Sequence, residues 1–112
     1  MAGALATRLD KVQQKGGITA REIAQLLNTT PETVSRWRTG RTQPQPDRRD
    51  YLLRLEWLIS ELGDLYSPEE ARLWLFSPHK LLGGDRPADR IQQGRIEDVL
   101  TVIAQLKDGA YV

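Results

Sequence analysis

The chain has 112 residues, no cysteine, and 16 basic against 15 acidic side chains. Its length suits one compact unit, or a small domain with an appendage, able to fold without staples. Disulfides and cysteine-ligated metals are excluded, and no apolar run is long enough to cross a bilayer as a helix.

The opening segment, MAGALATRLDKV, has charges inside it and no apolar signal core, so a cytoplasmic location is expected. Leu5, Leu9 and Val12 recur at helical spacing and predict a first helix over residues 4–15, ended by Gly16-Gly17. Arg8, Lys11 and Lys15 lie on its exposed side, as a solvated face or as phosphate contacts. Charge is uneven along the chain. Residues 1–50 carry nine Lys or Arg against five Asp or Glu, and residues 51–112 carry seven against ten. A basic first half suits a polyanion, although an imbalance of this size also arises by chance.

The stretch from Ile18 to Arg41 predicts two short helices around a tight turn. Thr19 and Glu22 have capping-box spacing, and Ile18 and Ile23 flank them as a hydrophobic staple. Ala24 is small enough for a second helix to cross closely. Asn28 tolerates the left-handed backbone that the turn needs. Thr30 and Pro31 then restart a helix, one as cap and one in the first turn. Val34 and Trp37 anchor that helix inward. This is the pattern of a helix-turn-helix, whose second helix enters the major groove by its N-terminal part. The residues expected to face DNA are Thr30, Pro31, Glu32, Thr33, Ser35 and Arg36, with Arg38 and Arg41 better placed for the phosphate backbone. Glu32 repels phosphate and must face a base edge or solvent. The alternative is a helical hairpin that only packs.

Gly40 stops that helix, and Pro44 and Pro46 make an extended connector. Asp47 is expected to cap a long helix over residues 48–62. Its main apolar stripe is Tyr51, Leu52, Leu55, Leu58, Ile59 and Leu62, while Leu53 and Trp57 form a second patch nearly opposite. A helix apolar on two sides is either buried within the fold or shared with another subunit. Gly63-Asp64 breaks the chain. Ser67 and Glu70 form a second capping box, opening a short helix through Phe76. Ser77-Pro78 leads a turn through Leu81-Leu82 to Gly83-Gly84, and Pro87 opens a short piece ended by Gly94. A final helix runs over residues 95–107, with Ile96, Val99, Leu100, Ile103 and Leu106 on its apolar face.

The run WLFSPHKLLGGDRPADRIQQG, followed by VLTVIAQLKDGAYV, resembles the toxin-binding domain of the Xre/MbcA/ParS antitoxins, closest to the MbcA-like members that pair with RES-domain toxins. The matching features are Trp74-Leu75, Pro78, Leu81-Leu82, Gly83 or Gly84, Pro87-Ala88, Gly94, Val99, Ile103 and Gly109. An Xre-like helix-turn-helix ahead of this module is also the family arrangement. The resemblance implies an antitoxin for a RES-domain toxin that breaks down NAD, covering its active-site cleft and repressing its own operon. It implies that Gly109, Ala110, Tyr111 and Val112 plug the toxin's entrance. Trp74, Leu81, Leu82 and Pro87 would shape or support the docking surface, unless they are simply core. Arg72, Lys80 and Arg90 are candidate rim contacts with an acidic partner. Tyr111 offers an aromatic anchor with a polar tip, or else a frayed terminus. The turn departs from the usual Xre pattern, with Asn28-Thr29 in place of glycine and a hydrophobic residue.

No catalytic constellation is expected. His79 is the only histidine and reads as a cap or surface contact; Gly83-Gly84 lacks the lysine and strand of a phosphate loop. Capping and solvation account for Glu69-Glu70 and for Asp85 with Asp89. The reading is therefore an all-α, non-enzymatic protein without cofactor or metal. Residues 1–46 form a helix-turn-helix region for operator DNA, and residues 47–112 a helical toxin-binding module. A homodimer or a higher hetero-oligomer with toxin is expected. The alternative is a stand-alone helix-turn-helix repressor whose C-terminal half serves dimerisation.

Overall fold

Seven α-helices and one 3-10 turn make up residues 5–109, which are the residues described by the structure, a computed structural model. The helices are α1 (Leu5–Gly16), α2 (Ala20–Leu26), α3 (Pro31–Thr39), α4 (Pro46–Gly63), α5 (Pro68–Leu75), α6 (Pro87–Gln92) and α7 (Ile96–Lys107). The 3-10 turn spans Lys80–Leu82, between α5 and α6. Among the described residues there is no strand. The fold is all-α, as the sequence pattern predicts.

Local chemistry sets most helix boundaries. Thr19 accepts from the Glu22 amide while the Glu22 carboxylate accepts from the Thr19 amide, so both halves of the first capping box form. Ser67 and Glu70 repeat the arrangement at α5. Asn28 has φ 55°, the left-handed backbone that turns α2 into α3. The start of α4 differs from expectation. Pro46 is already helical, Gln45 sits at the cap position without a side-chain bond, and Asp47 lies inside the first turn. Proline's fixed φ and missing amide suit the first helical position, which moves the start ahead of the carboxylate. Asp47 still favours the positive helix end there without capping it.

Helix α4 is the inner wall of the molecule. It packs against α1, α5 and α7 and buries Leu52, Leu55, Leu58, Ile59 and Leu62. These side chains belong to one core that also holds Leu9, Ile23 and Leu27 from the first half and Leu75, Ile91, Ile96 and Ile103 from the second. Helix α7 buries Val102 beside the expected Ile96, Val99 and Ile103, while Leu100 and Leu106 are only half-buried. The second apolar patch of α4 is not taken into the core: Leu53 is 36% and Trp57 59% exposed.

Polar clasps close the two halves onto each other. The Arg72 guanidinium on α5 donates to the Glu22 carboxylate and to the Gly17 carbonyl. Arg48 donates to the Leu27 carbonyl at 2.6 Å, satisfying the C-terminal end of α2, and the Tyr51 hydroxyl donates to the Ile91 carbonyl. Gly17 makes the α1–α2 turn at φ +63°, where an added Cβ would lie 2.3 Å from the Pro68 carbonyl oxygen. Gly17→Ala should therefore destabilise the chain by about 1–3 kcal/mol from the left-handed backbone alone, with the clash added. A urea midpoint equal to that of the parent chain would contradict this.

The Arg72 hydrogen bond, supported by the Thr19 amide, holds the Glu22 carboxyl below the ordinary glutamate range despite the opposing effect of burial. A carboxylate depressed in the folded state stabilises at pH above its unfolded value, and that contribution is lost as pH falls through the folded value. Stability should thus decline as pH drops below about 4.3, the unperturbed glutamate value. Glu22→Gln should flatten that part of the urea-midpoint profile and lower stability at pH 7; an unchanged slope would remove Glu22 from the account.

Candidate nucleic-acid and partner interfaces

Two separate faces carry the candidate residues. The first is built on α3, from its Thr30 cap to Arg41 just past its end. The Thr30 hydroxyl accepts from the Thr33 amide at 3.2 Å and lies 2.9 Å from the Thr33 hydroxyl, which fixes the first turn. Val34 and Trp37 are buried and set the helix's rotation. That rotation leaves Thr30, Pro31, Glu32, Ser35, Arg36 and Arg41 exposed and Thr33 half-buried. Among the described residues neither Arg36 nor Arg41 is engaged in an ion pair, so both cations are available to a polyanion.

Arg38 is placed differently from the sequence expectation. Its guanidinium turns onto α1, pairing with Asp10 and donating to Gln13 at 2.6 Å. The partners lie 28 and 25 residues away in sequence, so helical spacing within α3 does not reveal them. Arg21 and Gln25, which sequence reasoning passed over, line a surface cleft of about 340 Å³ with Ala24, Thr29, Pro31 and Glu32. Both are exposed on α2 beside the turn. Their places on the polar side of a predicted helix were the available signal.

The second face is built by the segment from α5 to α7. Trp74 is buried, and its ring lies 4.7 Å from the His79 ring at an interplanar angle of 39°. His79 Nε2 sits 3.0 Å from the Trp74 carbonyl oxygen, which ties the end of α5 to the start of the 3-10 turn. Leu82 and Pro87 are buried, so they support the surface from beneath. Lys80 is exposed and Leu81 is 46% exposed, so these two present themselves to solvent. Gly109, the last described residue, is exposed, and Ala110, Tyr111 and Val112 lie outside the described residues.

Arg90 is not a free rim cation. Its fork donates to Asp85 at 2.8 Å, to Asp98 at 2.7 Å and to the Leu82 carbonyl at 2.7 Å, holding the turn against the first part of α7. The hydrogen bonds to Asp85 and then Asp98 raise its pKa further. Arg90 thereby shapes a groove of about 390 Å³ lined by Leu81, Arg95, Thr101, Val102 and Gln105. Arg72 is likewise engaged with Glu22, and its guanidinium lies 5.2 Å from the centre of the Phe76 ring. Leu73 was not singled out from the sequence, yet it is 68% exposed. It projects from α5 opposite Ala71 and Leu75, a placement that helical spacing encodes.

These features have counterparts in known proteins. The family described as the antitoxin Xre/MbcA/ParS C-terminal toxin-binding domain matches residues 62–109. The mycobacterial cidal antitoxin MbcA of Mycobacterium tuberculosis is 29% identical over 108 residues, covering 96% of each chain. A probable mycobacterial cidal antitoxin of the same organism is 35% identical over 96 residues, covering 86% of this chain and 82% of its own. Among solved structures, a chain of the M. tuberculosis MbcT–MbcA toxin–antitoxin complex superposes with a TM-score of 0.83 at 28% identity, covering 98% of this chain and 99% of that one. A helix-turn-helix half and a C-terminal module on one core are thus matched along nearly their whole length, and the chain belongs to the MbcA-like Xre/MbcA/ParS antitoxin family.

Proposed function

We propose that this chain neutralises a cognate RES-domain toxin that degrades NAD, by laying the face from α5 to α7 over the toxin's active-site cleft. The single observation that carries the proposal is the near full-length match to a chain of a toxin–antitoxin complex. Leu81, Lys80 and the adjoining groove supply exposed contacts, and Trp74, Leu82, Pro87 and Arg90 hold that surface in shape. Gly109 carries the chain toward the tail Ala110-Tyr111-Val112, which acts as the plug. Tyr111 is suited to this work because an aromatic ring with a polar tip gives large contact area at low entropic cost. Deleting Ala110–Val112 should weaken inhibition of the toxin's NAD consumption about tenfold or more, the scale of one missing aromatic anchor. Undiminished inhibition by the truncated chain would refute the plug.

In the same proposal residues 1–46 bind operator DNA and repress the operon, in the cytoplasm, while residues 47–112 hold the toxin. The exposed N-terminal turn of α3 enters the major groove, while Arg36, in the last turn of α3, and Arg41, just past its C-terminal cap, are the free cations. Replacing both with alanine should weaken promoter binding and reduce the salt slope by about one for each phosphate that the chain no longer neutralises. Arg38→Ala should instead lower stability, since its partners are Asp10 and Gln13. Fluorescence anisotropy across a salt series separates these outcomes. A promoter that is never bound at low salt, with or without toxin, would leave the chain an inhibitor and no repressor.

A further inference from the structure

One face of α3 carries charge that the chain itself leaves open. Val34 and Trp37 turn inward, and Glu32, Ser35 and Arg36 point the opposite way, all three exposed. Glu32 and Arg36 stand one helical turn apart, acid before base, the order in which a helix closes such a pair most readily. Elsewhere the chain does close its local pairs: Arg86 meets Asp89 at 2.7 Å and Arg95 meets Asp98 at 3.0 Å. Among the described residues, Glu32 and Arg36 form no ion pair with each other or with a third group. Arg21 of α2 lines the same cleft as Glu32 and is also outside those pairs. The hydroxyls beside them are taken, since Thr30 and Thr33 bond to each other at the helix cap.

A carboxylate on a helix that faces DNA repels phosphate and so weakens binding to every sequence. Only a donor on a base edge offsets that repulsion, which makes the group a discriminator. In the major groove the donors are the exocyclic amines of cytosine and adenine. Adenine carries its N7 acceptor beside the amine, where it repels the second carboxylate oxygen, and cytosine has no acceptor of its own there. A free guanidinium one turn further on finds its match in O6 and N7 of guanine, which its fork meets with two parallel bonds. Four residues of helix rise about 6 Å, close to two base-pair steps of about 3.4 Å each. We propose that Glu32 and Arg36 are the base-reading pair of α3: the Glu32 carboxylate accepts from N4 of a cytosine, and the Arg36 fork donates to O6 and N7 of a guanine within two base-pair steps. This rests on the operator reading above and names what that operator contains. Arg21 partly neutralises the carboxylate as it enters a groove walled by phosphates, and Arg41, beyond the helix, keeps to the backbone.

Selection by the whole chain from duplexes with a randomised central stretch, at low salt, reads the bases directly. The intact chain should enrich a cytosine and a guanine at fixed spacing. Glu32→Gln should replace the cytosine with adenine and keep the guanine, because a carboxamide pairs with adenine N6 and N7. Glu32→Ala should lose the cytosine preference by about tenfold or more, yet bind random duplex more tightly than the intact chain does. Arg36→Ala should lose the guanine alone, whereas Arg41→Ala should spare both bases and lower the salt slope by about one. All of these side chains are exposed, so helical circular dichroism and urea midpoint should stay unchanged. If Glu32→Gln enriches the same bases as the intact chain while both bind salt-dependently, the proposal is overturned and the operator reading stands. A chain that enriches no duplex, alone or with toxin, overturns the two together.

Discussion

Burial of one face of α4 is the constraint on which the rest of the molecule depends. Leu52, Leu55, Leu58, Ile59 and Leu62 give both halves of the chain their inner wall, because α1 packs on one side and α7 on the other. A small helical unit of this kind has too little apolar surface to build two independent cores. Sharing α4 solves that problem and fixes α3 relative to the C-terminal module. The clasps follow from the same closeness. Arg72 reaches Glu22, Arg48 the end of α2, and Tyr51 the Ile91 carbonyl because the core has already brought their elements together.

That construction explains how one chain presents several faces without loose joints. Long cations near the surface are spent internally where they hold elements in place, as Arg38, Arg72 and Arg90 do. Arg36 and Arg41 are left free on the α3 side. Exposed leucines and a tryptophan are confined to α4, α5 and the segments flanking α5. Exposed ion pairs add little stability individually, so their value here lies in fixing geometry.

Much of this was legible in the residues because it is local. Thr19 with Glu22 and Ser67 with Glu70 announce helix starts within four residues, and Asn28 marks its turn by backbone tolerance alone. The two-sided pattern of α4 exposed Leu53 and Trp57 as an unusual pair from spacing. What the pattern concealed is nonlocal. Arg38 finds Asp10, and Arg72 finds Glu22, only after the core forms. Asp47 was misplaced for a local reason, two good starters competing one residue apart, with proline taking the first helical position. Leu73 was obscured by its buried neighbours Trp74 and Leu75, although its opposite placement follows from helical geometry.

The family assignment makes neutralisation the central claim, and a titration tests it most directly. If the toxin is the NAD-degrading RES-domain protein proposed above, the intact chain added to it should stop NAD loss at a fixed stoichiometric ratio, with the two proteins co-eluting as one complex. Undiminished NAD loss in the presence of excess folded chain would contradict the account.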